Sequence, residues 1–248
     1  MMYLVVELRT VTATFRNPEF QNFHKTLNLP PPTTLVGLAG AALGKSPKAA
    51  QEWFEKGDWQ IGISGTSGGY AKDLWKYQNK WERELGAWGK SILLREILFD
   101  NHFIIVFGCP DKKQVEVLLE AFEFPKYALT FGSSDSLAKV IATELIEGTD
   151  DSRELSYCLT SGNVLSEVLD NTFNGEEFSI YSTSEPIAYD LPTFFQYESD
   201  YGVRRVVRRK TLSFIGTPMQ LNYAVQGIRF KDKFIPVFPL HEAEHTAT

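Results

Sequence analysis

Apolar and polar positions follow two different periods in the first half of the chain. Segments rich in β-branched and aromatic residues predict strands, and segments whose apolar residues recur every three or four positions predict helices. The predicted strands are 3–15, 59–65, 92–99, 103–107 and 128–131, and the predicted helices are 35–43, 48–56 and 112–122. Their order predicts a ferredoxin-like βαββαβ domain of the α+β class over residues 1–140.

Two further changes of pattern divide the chain. The Gly-rich run 64–69 ends the strand at 59–65 and predicts the start of a protruding insertion at about 68–90. From residue 141 onward, short strands alternate with Asn, Gly, Asp and Pro. We therefore expect a β-rich C-terminal part over residues 141–248.

Cysteine and apolar content exclude several classes of protein. Cys109 and Cys158 are the two cysteines of the 248-residue chain and form no CxxC or Cys/His cluster, which argues against a zinc ribbon, a redox centre and a disulfide scaffold. The longest nearly apolar runs, 35–43 and 103–109, are shorter than the roughly 20 residues that a membrane-spanning helix requires. We expect no cofactor, no metal ion, no membrane contact and a cytoplasmic location.

Charge is distributed unevenly, although the formal net charge is −6. Residues 1–140 carry 16 basic and 15 acidic side chains, residues 141–200 carry 1 and 13, and residues 201–248 carry 8 and 3. A polyanion responds mainly to nearby charges because salt screens distant ones over roughly 8 to 10 Å. The acidic average therefore does not exclude binding to nucleic acid.

The densest basic cluster lies in the last block and is interrupted by two valines alone. Strand alternation would expose its cations on both faces. A nucleic-acid surface and a solvated strand paired with the acidic block explain the cluster equally well. Its members are Arg204, Arg205, Arg208, Arg209 and Lys210.

The predicted helix 35–43 carries a glycine stripe that includes Gly37 and Gly40. A glycine inside a helix costs about 1 kcal/mol relative to alanine, so another surface should approach closely here. That surface is either a neighbouring protein element or a nucleic-acid backbone lying at the helix N-terminus, where Thr33 and Thr34 offer a cap.

Residues 39–46 also satisfy a relaxed phosphate-loop pattern, with alanine in place of the first glycine. Against this interpretation, Pro47 removes a backbone donor where such a loop passes phosphate to its helix, and the loop interior is apolar. A P-loop NTPase is therefore a remote alternative.

The insertion interleaves aromatic and basic residues. Stacking on unpaired bases contributes about 1 to 3 kcal/mol per base and interspersed cations neutralise phosphates, so this composition favours single-stranded RNA. An amphipathic helix is the other interpretation, because apolar positions from Leu74 to Leu85 also recur at helical spacing. The predicted contacts are Tyr70, Lys72, Trp75, Lys76, Lys80, Trp81, Arg83 and Lys90.

Candidate catalytic residues are few. His24, Lys25 and Tyr70 could support general acid–base cleavage of RNA, but a single loop histidine usually faces solvent. The sequence contains no serine elbow, HExxH motif or acidic metal cluster. We expect no catalysis, and a metal-independent endoribonuclease is the main alternative.

Two stretches resemble the CRISPR-associated protein family five, the RAMP-type subunits of type I Cascade complexes. The first is Phe15-Arg16-Asn17-Pro18 followed by the proline and threonine entry to a glycine-bearing helix, 30–44. The second, 127–135, resembles the family's glycine-containing strand end, although the family often has arginine where this chain has Ser133. The first part of the chain is most similar to the branch from systems with a separate processing nuclease, such as type I-B.

The resemblance implies a ferredoxin-like domain whose thumb, at the place of the insertion, caps the 5′ handle of crRNA. It also implies contacts with the Cascade backbone subunit and the Cascade large subunit, and through them an indirect contact with target DNA. We therefore predict a non-catalytic RNA-binding subunit. Further predicted RNA contacts are Arg16, Asn17, Thr33, Thr34, Gly37, Gly40, Lys45, Arg204, Arg205, Arg208 and Arg209.

Overall fold

The computed structural model describes residues 1–20, 23–78, 90–167 and 186–241, with the backbone alone at 77–78 and 90–91. Its helices include α1 (Pro32–Leu43), α2 (Pro47–Glu55) and α3 (Lys112–Glu123). The strands of the first half are β1 (Met2–Ala13), β2 (Gln60–Gln78), β3 (Lys90–Cys109) and β4 (Ala138–Glu147). The later strands are β5 (Asp150–Leu155), β6 (Cys158–Ser161), β7 (Ile187–Tyr197), β8 (Arg204–Ile215), β9 (Met219–Phe230), β10 (Lys233–Pro236) and β11 (Phe238–Pro239).

Most strands belong to one antiparallel sheet. Its order is β4-β1-β3-β2-β6-β8-β7, with β11 paired to the start of β2, and a second sheet has the order β10-β9-β5. The strands of the two halves meet where Ser64 of β2 pairs with Cys158 of β6. The chain is thus mostly antiparallel sheet with few helices, as expected of the α+β class.

The alternation of β1 shows how the layers are arranged. Leu4, Val6 and Leu8 pack into the core that the three helices share, whereas Tyr3 and Val5 pack against β9 and β10 on the opposite side. Successive residues of a strand face opposite sides of a sheet, so both faces of the large sheet are covered here. The helices form one outer layer and the small sheet forms the other.

The predicted strands 92–99 and 103–107 are one continuous strand, β3, and the expected connection at Asp100-Asn101 is wrong. Asp100 has a φ of 50° inside the strand. Asn101 is buried, and its side-chain nitrogen lies 3.0 Å from Oγ1 of Thr10. Phe103 and Leu98 both face the helical core although they are five residues apart. The kink shifts the two-residue alternation by one, which is why the pattern resembled two strands.

Two other strand boundaries differ from expectation. The predicted strand 128–131 forms one isolated bridge, between Thr130 and Leu137, and the edge beside β1 is occupied by β4 instead. Strand β2 does not end at residue 65 but continues through the Gly-rich run. Pairing with β3 holds it there, and a Cβ on Gly69 would lie 2.6 Å from the Phe99 ring.

The helices of the first half follow the sequence signals closely. Ser46 caps α2 by accepting the N–H of Ala49 at 3.2 Å, and Gly44 ends α1 with a φ of 72°. Residues 39–43, which belonged to the phosphate-loop pattern, are the last turns of α1, so their N–H groups bond within the helix rather than to phosphate. No described helix is long and apolar enough to cross a membrane.

Helix α2 also holds the far edge of the large sheet. The side-chain amide of Gln51 bonds both backbone groups of Phe195 in β7: Nε2 donates to the carbonyl at 2.6 Å, and the Phe195 N–H donates to Oε1 at 2.8 Å. The contact falls where the β7–β8 register is irregular, next to Phe194. A helix of the first half therefore positions β7.

Candidate functional site

A cleft of about 500 Å³ opens where the long β2–β3 hairpin meets the loop after β1. Strands β2 and β3 continue past the end of β1, so their far portions, 70–78 and 90–98, leave the body of the sheet as a pair. The residues that line this cleft are Thr14, Arg16, His24, Trp75, Arg95, Gly132, Ser133, Ser134 and Asp135.

The segment around His24 completes the cleft by pairing with β3. The His24 N–H donates to the carbonyl of Leu94 at 3.0 Å, and the Glu96 N–H donates to the carbonyl of His24 at 2.9 Å. The last β1 partner on this edge of β3 is Ala13, opposite Leu98, so the His24 segment takes the place that β1 leaves. Backbone pairing thus brings an N-terminal loop to the base of the hairpin.

Trp75, His24 and Arg95 form the wall of the cleft. The rings of His24 and Trp75 have centroids 5.5 Å apart and are tilted by 42°, and the Arg95 guanidinium lies 5.8 Å from the Trp75 ring. Arg95 also forms an ion pair with Asp73 at 3.0 Å, directly across the hairpin. Trp75 remains 40% exposed, so part of its ring is accessible from the cleft.

The charge of the cleft comes from its arginines. Burial lowers the pKa of His24, and the positive charges of Arg16 and Arg95 lower it further. The imidazole is therefore neutral at pH 7 and presents a flat, uncharged ring. Arg16 is exposed at the rim and forms no ion pair within the part of the chain that the structure describes. The arrangement combines stacking surface with positive charge.

Gly132 shapes the opposite side of the cleft. Its φ is 84°, and a Cβ at this position would lie 1.7 Å from the carbonyl oxygen of Thr14. The loop can therefore pass this close to the end of β1 only with glycine here. In the turn that follows, the Ser133 hydroxyl donates to the Asp135 carboxylate. Ser133 lines the cleft and contributes no positive charge to it.

Arg16 and Trp75 were predicted from the sequence, whereas Arg95 and Gly132 were missed and His24 was given little weight. Arg95 reaches the cleft through the β2–β3 register, which pairs it with Asp73. The Gly-Ser-Ser sequence at 132–134 was a usable signal, because glycine and serine together indicate a turn. Its proximity to Thr14 is a tertiary contact that no local pattern reports.

Asn17 has a structural role in place of the predicted contact, and Thr33 and Thr34 do not form the predicted helix cap. Asn17 is 2% exposed, and its Oδ1 accepts the N–H of Glu19 at 3.0 Å, so the side chain stabilises the turn and is not available to RNA. Thr33 and Thr34 are half-buried and do not cap α1, whose N-cap is Pro31 without a side-chain bond. The helix begins earlier than expected because proline at its first position supplies the required φ.

The glycine stripe of α1 divides into two parts. Gly37 is exposed, and a Cβ added there would have no described atom within 4 Å. Gly40 is buried, and its Cβ would lie 2.5 Å from the Cβ of Ala50 in α2. The prediction of an RNA contact at Gly40 is therefore wrong, since helix–helix packing explains this glycine. Lys45 is half-buried between the two helices.

The hairpin presents different residues on its two faces. Tyr70, Lys72 and Lys76 are exposed on the face opposite Trp75, and Tyr70 lines a separate groove. Lys72 lies 5.8 Å from the Phe23 ring. The predicted contacts Lys80, Trp81 and Arg83 lie outside the described residues, as does the side chain of Lys90.

The basic cluster 204–210 lies on β8, and acidic or aromatic groups engage its arginines. Arg208 pairs with Glu55 of α2 at 2.5 Å, and Arg209 pairs with Asp190 of β7 at 3.8 Å. Arg205 lies 3.9 Å from Glu198, and Arg204 stacks 4.5 Å from the Phe195 ring. This geometry favours the interpretation as a strand paired with the acidic block.

The candidate catalytic residues are not brought together. His24 lines the cleft, Lys25 lies 5.2 Å from the Phe20 ring, and Tyr70 lines the separate groove. Tyr70 is five strand positions from Trp75, about 17 Å along β2. Across the described ranges, no group of three or more His, Cys, Asp or Glu side chains could hold a metal ion.

Comparison with known proteins gives matches at low identity. A solved structure described as "CRISPR RNA-guided surveillance complex" is 11% identical, with 88% of this chain and 90% of that chain covered and a TM-score of 0.50. A "CRISPR protein from Archaeoglobus fulgidus" is 12% identical, with 95% and 99% covered and a TM-score of 0.48.

A third structure, described as "Cas protein", is 17% identical, with a TM-score of 0.36. The match covers 54% of this chain and 57% of that chain, so this chain spans little more than half of that protein's length. No curated protein matches the chain. A family model described as "CRISPR-associated protein (Cas_Cas5)" matches residues 3–207.

Proposed function

Because the chain belongs to the Cas5 family of CRISPR-associated proteins, we propose that it is a non-catalytic, crRNA-binding subunit of a Cascade-type surveillance complex. In this proposal the cleft at the base of the β2–β3 hairpin holds the 5′ handle of the crRNA. The wall formed by Trp75, His24 and Arg95 is the observation that carries it.

The chemistry of the cleft suits unpaired RNA. The exposed part of the Trp75 ring offers a surface on which one base can stack, and Arg16 at the rim can neutralise a phosphate. Neither contact requires a particular base, which is appropriate for a strand held mainly by its backbone and ring faces. Lys72 and Lys76 are exposed on the opposite face of the hairpin and are not part of this surface.

The fold of the first half supports the same assignment. The order β4-β1-β3-β2 with three antiparallel pairings is the order of a ferredoxin-like sheet, and α1, α2 and α3 lie on one face of it. We assign a ferredoxin-like topology to this half, and the protruding hairpin takes the role of the thumb.

Absence of catalysis is the second part of the proposal. Cleavage of an RNA 2′-hydroxyl needs a base and an acid within hydrogen-bond reach of the same phosphodiester. His24 and Tyr70 face different sides of the hairpin and line different cavities. Metal-free cleavage of repeat RNA that His24→Ala abolishes would contradict this part and favour the endoribonuclease.

The proposed partners follow from membership of the complex. They are the crRNA 5′ handle, the Cascade backbone subunit and the Cascade large subunit, with an indirect contact to target DNA. The proposed location is the cytoplasm, where such a complex would meet its RNA.

A titration with handle RNA and a scrambled RNA of equal length tests the proposal. Because neither contact depends on the base, we expect both RNAs to bind, and Arg16→Ala combined with Trp75→Ala to weaken the binding of each by about tenfold or more. The matched control is Arg204→Ala combined with Arg205→Ala, which should change affinity by less than about threefold. Binding of both RNAs that the cleft variant leaves unchanged would contradict the proposal.

A further inference from the structure

The outer edge of β2 is covered at its start and open further along. Strand β11 pairs with Gln60 and Ile61, and β6 pairs with Ser64. The Gly65 N–H then donates to the carbonyl of Tyr157 at 2.8 Å. From Thr66 to the end of β2, none of the described strands pairs with this edge. Strand β3 pairs with the opposite edge of β2 over the same residues.

Tyr157 is the reason that the covering strand stops. Strand β6 runs antiparallel to β2, so the start of β6 lies furthest along β2. Tyr157 immediately precedes this start, and its φ of 49° turns the chain away from β2 there. Backbone groups on one side of a strand recur at every second residue, so after Gly65 the next N–H and C=O to face outward are those of Ser67. This edge carries no proline or charged residue between Thr66 and Tyr70, the usual devices that block strand addition.

A groove of about 540 Å³ runs beside this open edge. One wall is β2 itself, from Gly65 to Tyr70, and the other carries Tyr157, Ile187 and Phe214. Leu98 lies opposite Tyr70 in the hairpin and adds an apolar surface. Tyr70 is 68% exposed and Ile187 45% exposed, so the groove leaves apolar side chains accessible beside unpaired backbone.

We propose that this groove binds an extended segment of a partner protein, which adds to the edge of β2 as an antiparallel strand. The segment would place one apolar side chain between Tyr70 and Ile187. Its neighbours would be acidic, because Lys72 and Lys76 follow Tyr70 on the same face of β2 and are both exposed. Main-chain bonds then give affinity, and the apolar pocket gives specificity.

Hydrogen-bonding chemistry favours a peptide over RNA at this site. An open strand edge offers donors and acceptors in alternation, and a peptide backbone matches both. The phosphates of RNA only accept hydrogen bonds, and the 2′-hydroxyl is the one donor on each sugar, so outward carbonyls would lie beside negative charge with few donors to meet them. The groove and the cleft lie on opposite faces of the hairpin and share no lining residue. A peptide in the groove therefore does not require RNA in the cleft.

The test selects phage-displayed random twelve-residue peptides on the full-length chain and measures synthetic copies by fluorescence anisotropy. We expect enriched peptides to share an apolar residue flanked by Asp or Glu. Ser67→Pro removes the outward N–H without removing a bond to β3, and should weaken binding about tenfold or more. Ser67→Ala keeps the N–H and should leave binding unchanged.

A second pair of variants covers the case in which Ser67→Pro fails to fold. Ile187→Glu places a negative charge in the groove beside the acidic residues of the peptide and should also weaken binding about tenfold. Val207→Glu, at a position that is 56% exposed on β8, is its control and should bind normally. RNA affinity should be unchanged in all four variants, which separates this inference from the proposed function.

Four outcomes would overturn the inference. The first is a selection that enriches no peptide class, and the second is binding that Ser67→Pro and Ile187→Glu both leave intact. The third is a Trp75→Ala chain from which single-stranded RNA displaces the bound peptide, because RNA would then be the occupant of the groove. The fourth is a concentration-dependent dimer that Ile187→Glu abolishes, which would assign the groove to a second copy of the chain.

Discussion

The cleft and the basic cluster of β8 contain the same kinds of residue but differ in what surrounds the cations. Each places arginines near a histidine and an aromatic ring. In the cluster, carboxylates of Glu55, Asp190 and Glu198 lie within 4 Å of three arginines. In the cleft, Arg95 has such a partner in Asp73, whereas Arg16 forms no ion pair with any described residue.

The two histidines extend the comparison. Burial lowers the pKa of His241 to about 4, with Arg208 and Lys210 adding to the shift, even though the Glu55 carboxylate lies 2.5 Å away. The pKa of His24 is shifted in the same direction for the same reasons, but its ring lines an open cleft.

The comparison shows that the density of cations in a sequence does not by itself indicate a binding surface. Their availability depends on which acidic groups the fold places next to them.

The largest expected effect comes from the glycine that shapes the cleft. Gly132→Ala combines a φ of 84° with a contact of 1.7 Å between the new Cβ and the Thr14 carbonyl oxygen, so we expect a loss of about 2 to 4 kcal/mol in the free energy of unfolding. Gly148→Ala has a similar φ of 82° and open space around it, and should cost about 1 kcal/mol. Urea denaturation measures both, and equal losses would mean that the close approach does not shape the cleft.

Removal of the stacking surface should produce the next largest effect. Trp75→Ala should weaken binding of handle RNA by about 1 to 3 kcal/mol, which is the usual contribution of one stacked base. Trp75→Phe keeps a ring and should retain most of the affinity. Filter binding at constant salt measures the difference, and identical affinities for the two variants would exclude stacking at this position.

A salt titration compares the two basic regions directly. Each phosphate contact with single-stranded RNA contributes about 0.7 to the slope of log affinity against log salt. We expect Arg16→Ala to reduce the slope by about this amount and Arg205→Ala, whose partner is Glu198, to leave it unchanged. The reverse result would transfer the RNA surface to β8.

The smallest expected effect is on pH dependence. The pKa of His24 in the folded chain lies below its unfolded value of about 6.5. The unfolded chain therefore takes up the proton first, and the folded chain loses stability as the pH falls from about 6.5 toward the folded pKa. A bound phosphate would favour the protonated ring, so RNA binding should take up a proton and strengthen as the pH falls from 8 to about 6. His24→Asn should flatten this profile, and an equally steep profile in the variant would show that no phosphate lies beside His24.

Local signals explain which parts of the fold could be predicted. Helix α2 has its cap at Ser46 and its first-turn proline within two residues, and α1 ends at a glycine, so both helices were found close to their bounds. Strand β3 was divided because Asp100 interrupts the alternation on which strand prediction depends. Strand β4 was missed because the apolar segment 128–131 just before it matched a strand equally well.

The candidate site was predictable only in part, for a related reason. Arg16 and Trp75 were found because residue type and composition indicate stacking and charge. The pairing of Arg95 with Asp73 and the approach of Gly132 to Thr14 depend on strand register and a tertiary contact. Asn17 and Gly40 were assigned to RNA because a sequence does not distinguish a residue that faces solvent from one that packs against a neighbour.

The amide of Gln51 has a consequence for how the chain unfolds. Since both of its bonds go to the backbone of Phe195, β7 cannot shift by one residue relative to α2 without losing them. The position of β7 is thus tied to a helix that lies 144 positions earlier in the chain. Heating should therefore melt the two halves in a single cooperative transition, and Gln51→Leu should split it into two.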